Sequence, residues 1–211
     1  MIAIVDYQAG NLTSVSRALR FLHLDCQITS DDEVLRRASH IIFPGVGAAG
    51  EAMANLKQTG LDRMIVELAR SGKPMLGICL GTQIIFDYSE ENETPCLGII
   101  PGKVKRFSDD MAHADRRLKI PHMGWNSVAF RSSHPVFRGI PEEAEFYFVH
   151  SFFPLPKREE NILGQTEYGI EFASAVGADN VVAVQFHPEK SGKPGLALLE
   201  NFCHWKGTDV E

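Results

Sequence analysis

Pro74-Met75-Leu76-Gly77-Ile78-Cys79-Leu80-Gly81-Thr82-Gln83-Ile84-Ile85-Phe86 is the stretch that decides the fold of this 211-residue chain. Its apolar start reads as a strand, and its end, from Thr82 to Phe86, opens a helical pattern. Between them lies Gly-x-Cys-x-Gly, so strand, tight turn and helix form the thiol version of a nucleophile elbow. Such a turn leaves no room for bulk two residues before or after the nucleophile, and Gly77 and Gly81 meet that demand. The sulfur is lifted above the sheet edge with a helix N-terminus beneath it, and that positive dipole end favours thiolate over thiol. A lone cysteine between glycines also reads as a small buried hydrophobe, so a second constellation has to decide.

Gln185-Phe186-His187-Pro188-Glu189 supplies it. It follows Val181-Val182-Ala183-Val184, a β-branched run that reads as a buried strand. His187 therefore sits at a strand end, where Pro188 forbids continuation. A carboxylate two residues on, Glu189, can accept one imidazole N–H and leave the other ring nitrogen facing a thiol. Cys79, His187 and Glu189 then serve as nucleophile, acid–base and orienter.

Outward from these two strand ends, the first half of the chain alternates strand and helix. Strands are expected at 2–5, 26–29 and 40–43, with a helix from a cap at Asn11 or Thr13 to about residue 23 and a short helix at 32–38. Helical periodicity fills 50–71. Strands this apolar, separated by helices, predict an α/β fold with a mostly parallel sheet flanked by helices on both faces. From about 96 to 177, short strands with Gly, Pro and Asp turns (102–107, 126–130, 145–150) predict an antiparallel annex. A core strand at 181–185 and a helix at about 194–204 close the chain. With no linker or repeat, residues 1–211 read as a single domain.

Composition narrows the function. The chain is 44% hydrophobic and 23% charged, with a net charge of −6 and no basic run, which argues against nucleic acid as a main ligand. The four cysteines form no C-x-x-C pair, and the eight histidines show no zinc spacing, so neither metal nor cofactor is expected. No apolar run approaches the ~18 residues of a membrane-spanning helix. The N-terminus lacks a basic signal region, and a cytoplasmic location with reduced thiols follows.

Gly45-Val46-Gly47-Ala48-Ala49-Gly50 matches the dinucleotide pattern G-x-G-x-x-G, with Glu67 about twenty residues on. Pro44 precedes the first glycine, the motif follows the third strand rather than the first, and Glu67 lies inside a helical pattern. A backbone oxyanion hole fits better: an N–H from Val46 or Gly47, joined by that of Leu80, can face a carbonyl attacked by Cys79.

Pro44-Gly45-Val46-Gly47, Gly77-Ile78-Cys79-Leu80-Gly81-Thr82-Gln83 and Gln185-Phe186-His187-Pro188-Glu189-Lys190-Ser191 resemble the triad (class I) glutamine amidotransferases. Asp6-Tyr7, Gly10-Asn11-Leu12, Pro121-His122-Met123-Gly124-Trp125-Asn126 and Tyr147-Phe148-Val149-His150-Ser151 resemble one branch of them, the glutaminase subunits of imidazole glycerol phosphate synthases, which serve histidine biosynthesis. The resemblance covers essentially the whole chain, and Pro121–Asn126 is its most branch-specific element. It implies hydrolysis of L-glutamine to glutamate and ammonia by Cys79, His187 and Glu189. It implies that Gly45, Gln83 and Ser151 help hold the glutamine. It further implies that Asn11, Met123, Trp125 and Lys190 meet a cyclase subunit, a separate (β/α)8 barrel that receives the ammonia in a heterodimer. Without the resemblance, Met123 and Trp125 alternate as on one strand face and fit a core better than an interface, an order the resemblance reverses; Gln83 fits a solvated helix face, and Lys190 a surface charge. Three positions depart from the family pattern: Gln8 stands for a glycine usual after Tyr7, Thr82 for a common Met, and Phe152 for a common Tyr. A glutaminase subunit for another synthase and a stand-alone γ-glutamyl hydrolase are the competing readings.

Overall fold

A computed structural model describes residues 1–113, 116–131 and 133–207. Its centre is an eight-stranded sheet. Five strands run parallel: β1 (Ile2–Val5), β2 (Cys26–Thr29), β3 (His40–Gly45), β4 (Met75–Cys79) and, last in the chain, β12 (Val181–Val184). Between β4 and β12 come β5 (Gly102–Arg106), β6 (His122–Ser127), β7 (Ala129–Phe130), β8 (Glu145–His150), β9 (Phe152–Pro156), β10 (Ile162–Glu167) and β11 (Glu171–Ala178). Across the sheet the order is β7-β10-β11-β12-β4-β3-β1-β2.

The two-residue period of the central strands divides the core into two layers. Ile2, Ile4, Leu76, Ile78, Val182 and Val184 face one side, where helices α1 (Leu12–Phe21) and α6 (Gly192–His204) cover them with Val15, Leu19, Leu198, Leu199 and Phe202. Ala3, Val5, Ile41, Phe43, Met75 and Ala183 face the other. There they meet α2 (Asp32–Arg37), α3 (Ala49–Thr59), α4 (Leu61–Arg70) and the short α5 (Leu80–Ile84) through Leu35, Leu56, Ile65, Leu68 and Ile84. Both faces are apolar because both are covered, as the unbroken hydrophobic runs predicted.

The structure corrects two expectations and adds detail to a third. The periodicity over 50–71 is two helices, broken at Gly60, whose φ of 77° ends α3 and starts α4. The single strand at 126–130 is the end of β6 and the separate β7, with buried Val128 between them. Much of the antiparallel annex is an extension of the main sheet, since β10, β11 and β7 continue it beyond β12. The rest stands apart: β6 pairs with β8 as a ribbon, and β9 pairs with β5.

Parallel register brings three strand ends to one rim. Gly45 of β3 lies opposite Cys79 of β4, and Val184 of β12 lies opposite Ile78, so Gln185–His187 emerges beside Cys79. Ligands of open α/β sheets bind at such carboxyl ends.

Candidate active site

Cys79 ends β4 with φ 53° and ψ −107°, a conformation costly for a residue with a side chain and maintained by what surrounds it. A Cβ at Gly81 would overlap the carbonyl oxygen of Phe43, and one at Gly77 would lie 2.8 Å from Ala183 Cβ. The glycines are therefore needed for close approach of the elbow to β3 and β12. Thr82 locks the turn by donating its hydroxyl to the Val184 carbonyl at 2.6 Å inside the core. The helix after the elbow ends at Ile84, short of the expected Phe86.

His187 is anchored at its backbone. Its N–H donates to the Tyr147 carbonyl at 2.9 Å. Its carbonyl accepts the Ser191 hydroxyl at 2.6 Å, and Ser191 Oγ accepts the Tyr147 N–H at 3.0 Å. Ser191, which could have capped α6, makes no cap bond and instead ties the His187 backbone to Tyr147 inside β8. The imidazole Nδ1 lies 2.8 Å from Glu189 Oε1, with both side chains fully buried. A carboxylate can only accept, so Nδ1 carries the proton and Nε2 is the ring nitrogen left over. Nε2 is buried and has no hydrogen-bond partner. Burial opposes the imidazolium, but the Cys79 sulfur and then the Glu189 carboxylate outweigh it and push His187 up to about 9. Cys79 and Glu189 therefore both favour the charged form of this imidazole.

Asn11 occupies the N-cap position of α1 with φ 74°, yet its side chain caps nothing. Nδ2 donates instead to Glu189 Oε1 at 2.6 Å. The expected cap is replaced by a second donor to the carboxylate that accepts from His187, a contact between residues far apart in sequence that no local pattern could reveal.

Val46 and Gly47 follow the end of β3 and are exposed, Gly47 at φ 107°, whereas Leu80 is buried at the start of α5. Gly45 is backed by Tyr7, whose hydroxyl occupies the place of a Cβ there and has no hydrogen-bond partner. Burial, with the Cys79 sulfur adding, pushes this phenol above its ordinary value.

Gln83 is buried rather than solvated. Its Nε2 donates to the Phe152 carbonyl and to Gln185 Oε1, both at 3.1 Å. Ser151 is half-buried and its carbonyl accepts the Phe107 N–H at 3.0 Å. Sequence reasoning missed Gln185, whose Nε2 lies 3.7 Å from Cys79 Sγ, and the buried pair His122–His150. Gln185 was legible only as the residue two before His187.

Met123 and Trp125 share one face of β6 and are 62% and 54% exposed, so they are not core. Trp125 meets the Tyr147 ring edge-on at 6.0 Å, and Lys190 Nζ stands 5.9 Å from the same ring. Trp125, Tyr147 and Lys190 therefore form one surface directly behind the His187 backbone. Among the described residues no group of three or more side chains could hold a metal ion, and no helix is long and apolar enough to cross a membrane.

Residues 3–205 match the family Glutamine amidotransferase class-I. The "Imidazole glycerol phosphate synthase subunit HisH" of Maridesulfovibrio salexigens is 52% identical over 206 residues, covering 97% of each chain. The protein of the same name from Pseudomonas syringae pv. syringae is 45% identical over 208 residues, covering 98% of each. The fold is also that of a chain in the structure of PurLQS from Thermotoga maritima, with a TM-score of 0.74 at 18% identity over 96% of this chain and 97% of that one. The chain therefore belongs to the class-I glutamine amidotransferases, within the family of imidazole glycerol phosphate synthase HisH subunits.

Proposed function

We propose that Cys79, His187 and Glu189 hydrolyse L-glutamine and that the ammonia passes to a cyclase subunit which builds imidazole glycerol phosphate. The observation that carries this reading is the buried Glu189–His187 pair, which leaves the second ring nitrogen unpartnered on the same sheet rim where β4 ends at Cys79. An imidazole raised to about 9 holds its proton at neutral pH, the form in which it can be an acid.

The sulfur attacks the side-chain carboxamide carbon, and the oxygen takes the charge. N–H groups of Leu80 and of Val46 or Gly47 are the donors proposed for it, each worth about 10²–10³ in rate in such sites. His187 gives its Nε2 proton to the departing nitrogen and ammonia leaves, with a γ-glutamyl thioester on Cys79. The neutral imidazole then removes a proton from water, hydroxide adds to the thioester, and the thiolate leaves with glutamate formed. Gly45, Gln83 and Ser151 are the proposed glutamine contacts; Gly45 lies opposite Cys79 in the strand register and Gln83 is in the helix that follows it, which supports the first two.

The cyclase, a (β/α)8 barrel in this proposal, meets Asn11, Met123, Trp125 and Lys190. Large exposed apolar side chains beside a charged one suit a heterodimer interface, and Met123 and Trp125 offer a dry wall along which ammonia stays unprotonated. The four free thiols support a reducing, cytoplasmic setting, and the matched span supports a single glutaminase domain over 1–211.

The test is a glutaminase assay with and without the cyclase and its nucleotide substrate. C79A should abolish glutamine hydrolysis while the complex still makes product from added ammonium. Loss of both activities would mean that Cys79 is needed for more than the attack on glutamine. Efficient turnover of γ-glutamyl amines by the chain alone would favour the stand-alone hydrolase.

A further inference from the structure

The Cys79 sulfur has a neighbour that the triad does not use. Gln185 directly follows β12, and the register that pairs Ala183 with Gly77 and Val184 with Ile78 carries it alongside Cys79. Its side chain is fully buried, with Nε2 3.7 Å from Sγ. A carboxamide can turn either end to a sulfur, and the two ends have opposite effects: N–H stabilises an anion, a carbonyl oxygen repels it.

The surroundings decide which end it is. The Phe152 carbonyl can only accept, and it takes Gln83 Nε2 at 3.1 Å. The second N–H of the same nitrogen meets Gln185 Oε1 at 3.1 Å. With its oxygen committed to Gln83, Gln185 has only N–H to offer the sulfur. The other side of the Phe152 carbonyl is held by His150 Nδ1 at 2.7 Å. His150 Nε2 must then accept, from His122 Nδ1 at 2.9 Å, and His122 Nε2 accepts from Asn126 Nδ2 at 3.3 Å. Asn126 is fixed in turn by donating to the Glu167 carbonyl at 2.9 Å. Every donor and acceptor from Asn126 to Cys79 is therefore set by two backbone carbonyls. Burial keeps the imidazoles neutral by pulling His122 down to about 4 and His150 to about 3, so this order of donors holds at neutral pH.

We propose that Gln185 is a catalytic residue whose Nε2–H donates to the Cys79 sulfur and steadies it as the anion, with Gln83 and the His150–His122 pair as positioning residues for that donor. A buried anion needs donors, and the Gln185 amide stands within reach of the sulfur. The same bond serves twice, before attack and again when the sulfur leaves the thioester. The proposal rests on Cys79 being the nucleophile, so its test reads the sulfur itself rather than glutaminase activity.

The full chain is labelled with [3-13C]cysteine, the Cys79 resonance is assigned by its loss in C79S, and its shift is followed with pH. Q185M removes the donor at similar volume but leaves a Gln83 N–H unpaired. Q83M/Q185M removes both amides together, which strands no polar group. In either folded variant the Cys79 curve should move to higher pH by about one to two units, the effect of losing a hydrogen bond to a charged group. A curve superimposable on wild type, titrating or flat, overturns the proposal. So does failure of both variants to fold, which would make Gln185 a packing residue. A shifted sulfur in a chain that never hydrolyses glutamine, with or without its partner, would instead count against the proposed function.

Discussion

Acidification from pH 7 to pH 5 should weaken this protein markedly, because of His122 and His150. Both imidazoles are buried, and the Nε2 atom of each is already an acceptor. Protonating His150 would set two N–H groups against each other across the 2.9 Å contact. Desolvation is the larger cause and brings His122 to about 4 and His150 to about 3, from 6.5 in an open chain; for His150, His122 and His187 add repulsion. A base depressed in the folded state gives full stability above 6.5 and loses it as pH falls toward the folded value, since only the unfolded chain takes up protons in that window. Over pH 7 to 5 this amounts to roughly 2 kcal/mol for each imidazole. His187 acts oppositely. Raised to about 9, it contributes fully below 6.5 and loses that contribution as pH rises through 9, so acidification recovers somewhat under ~1 kcal/mol. The net loss, roughly 3 kcal/mol, is a large share of the ~5–15 kcal/mol of a typical domain. In urea unfolding followed by circular dichroism, the midpoint should fall by about 1 M. The Cε1–H resonances of His122 and His150 should stay still over the same pH range. Equal midpoints at the two pH values, or imidazole signals that titrate near 6.5, would refute the neutral pair.

The elbow, the proposed triad and the outer face can each be tested separately. G81A drives a methyl into the Phe43 carbonyl; overpacking at this site should cost roughly 3 kcal/mol or more, lowering Tm by about 6–12 °C, and an unchanged melting curve would mean the turn has slack. E189Q removes one of the charges that lift His187. Glutaminase kcat/KM in the complex should fall by about 10²-fold or more, and its alkaline limb should move to lower pH; a limb left in place would separate Glu189 from the proton that matters. N11A deletes the donor to Glu189 Oε1 and should lower kcat more than it raises KM, while an effect on cyclase affinity alone would make Asn11 purely an interface residue. M123S/W125S changes exposed side chains, so stability of the free chain should drop by no more than about 1 kcal/mol. Product formed per glutamine consumed should fall in the complex, and unaltered stoichiometry would remove these residues from the ammonia path.

The parallel core and the two strand ends that matter were legible in the sequence alone. Runs such as Val181–Val184, buried on both faces, leave an unmistakable hydrophobic signature, and Gly77 and Gly81 mark a turn whose sterics admit little else. The pairing of His187 with Glu189 was legible too, because two residues across a proline are already neighbours. Strands β10 and β11 were harder to read: Phe172–Ala178 is rich in Ala, Ser and Gly, and small residues that fill a tight interior carry no β-branched pattern. The break at Gly60 was hidden because helical periodicity continues in phase across it. It took the folded chain to turn Met123 and Trp125 outward, since alternation on a strand names a face but not what covers it. Folding alone also joined Asn11 to Glu189 and Gln185 to Cys79. Hydrogen bonds are short-ranged and directional, so a pair separated by 178 or 106 residues exists only once the sheet register has placed its two backbones side by side.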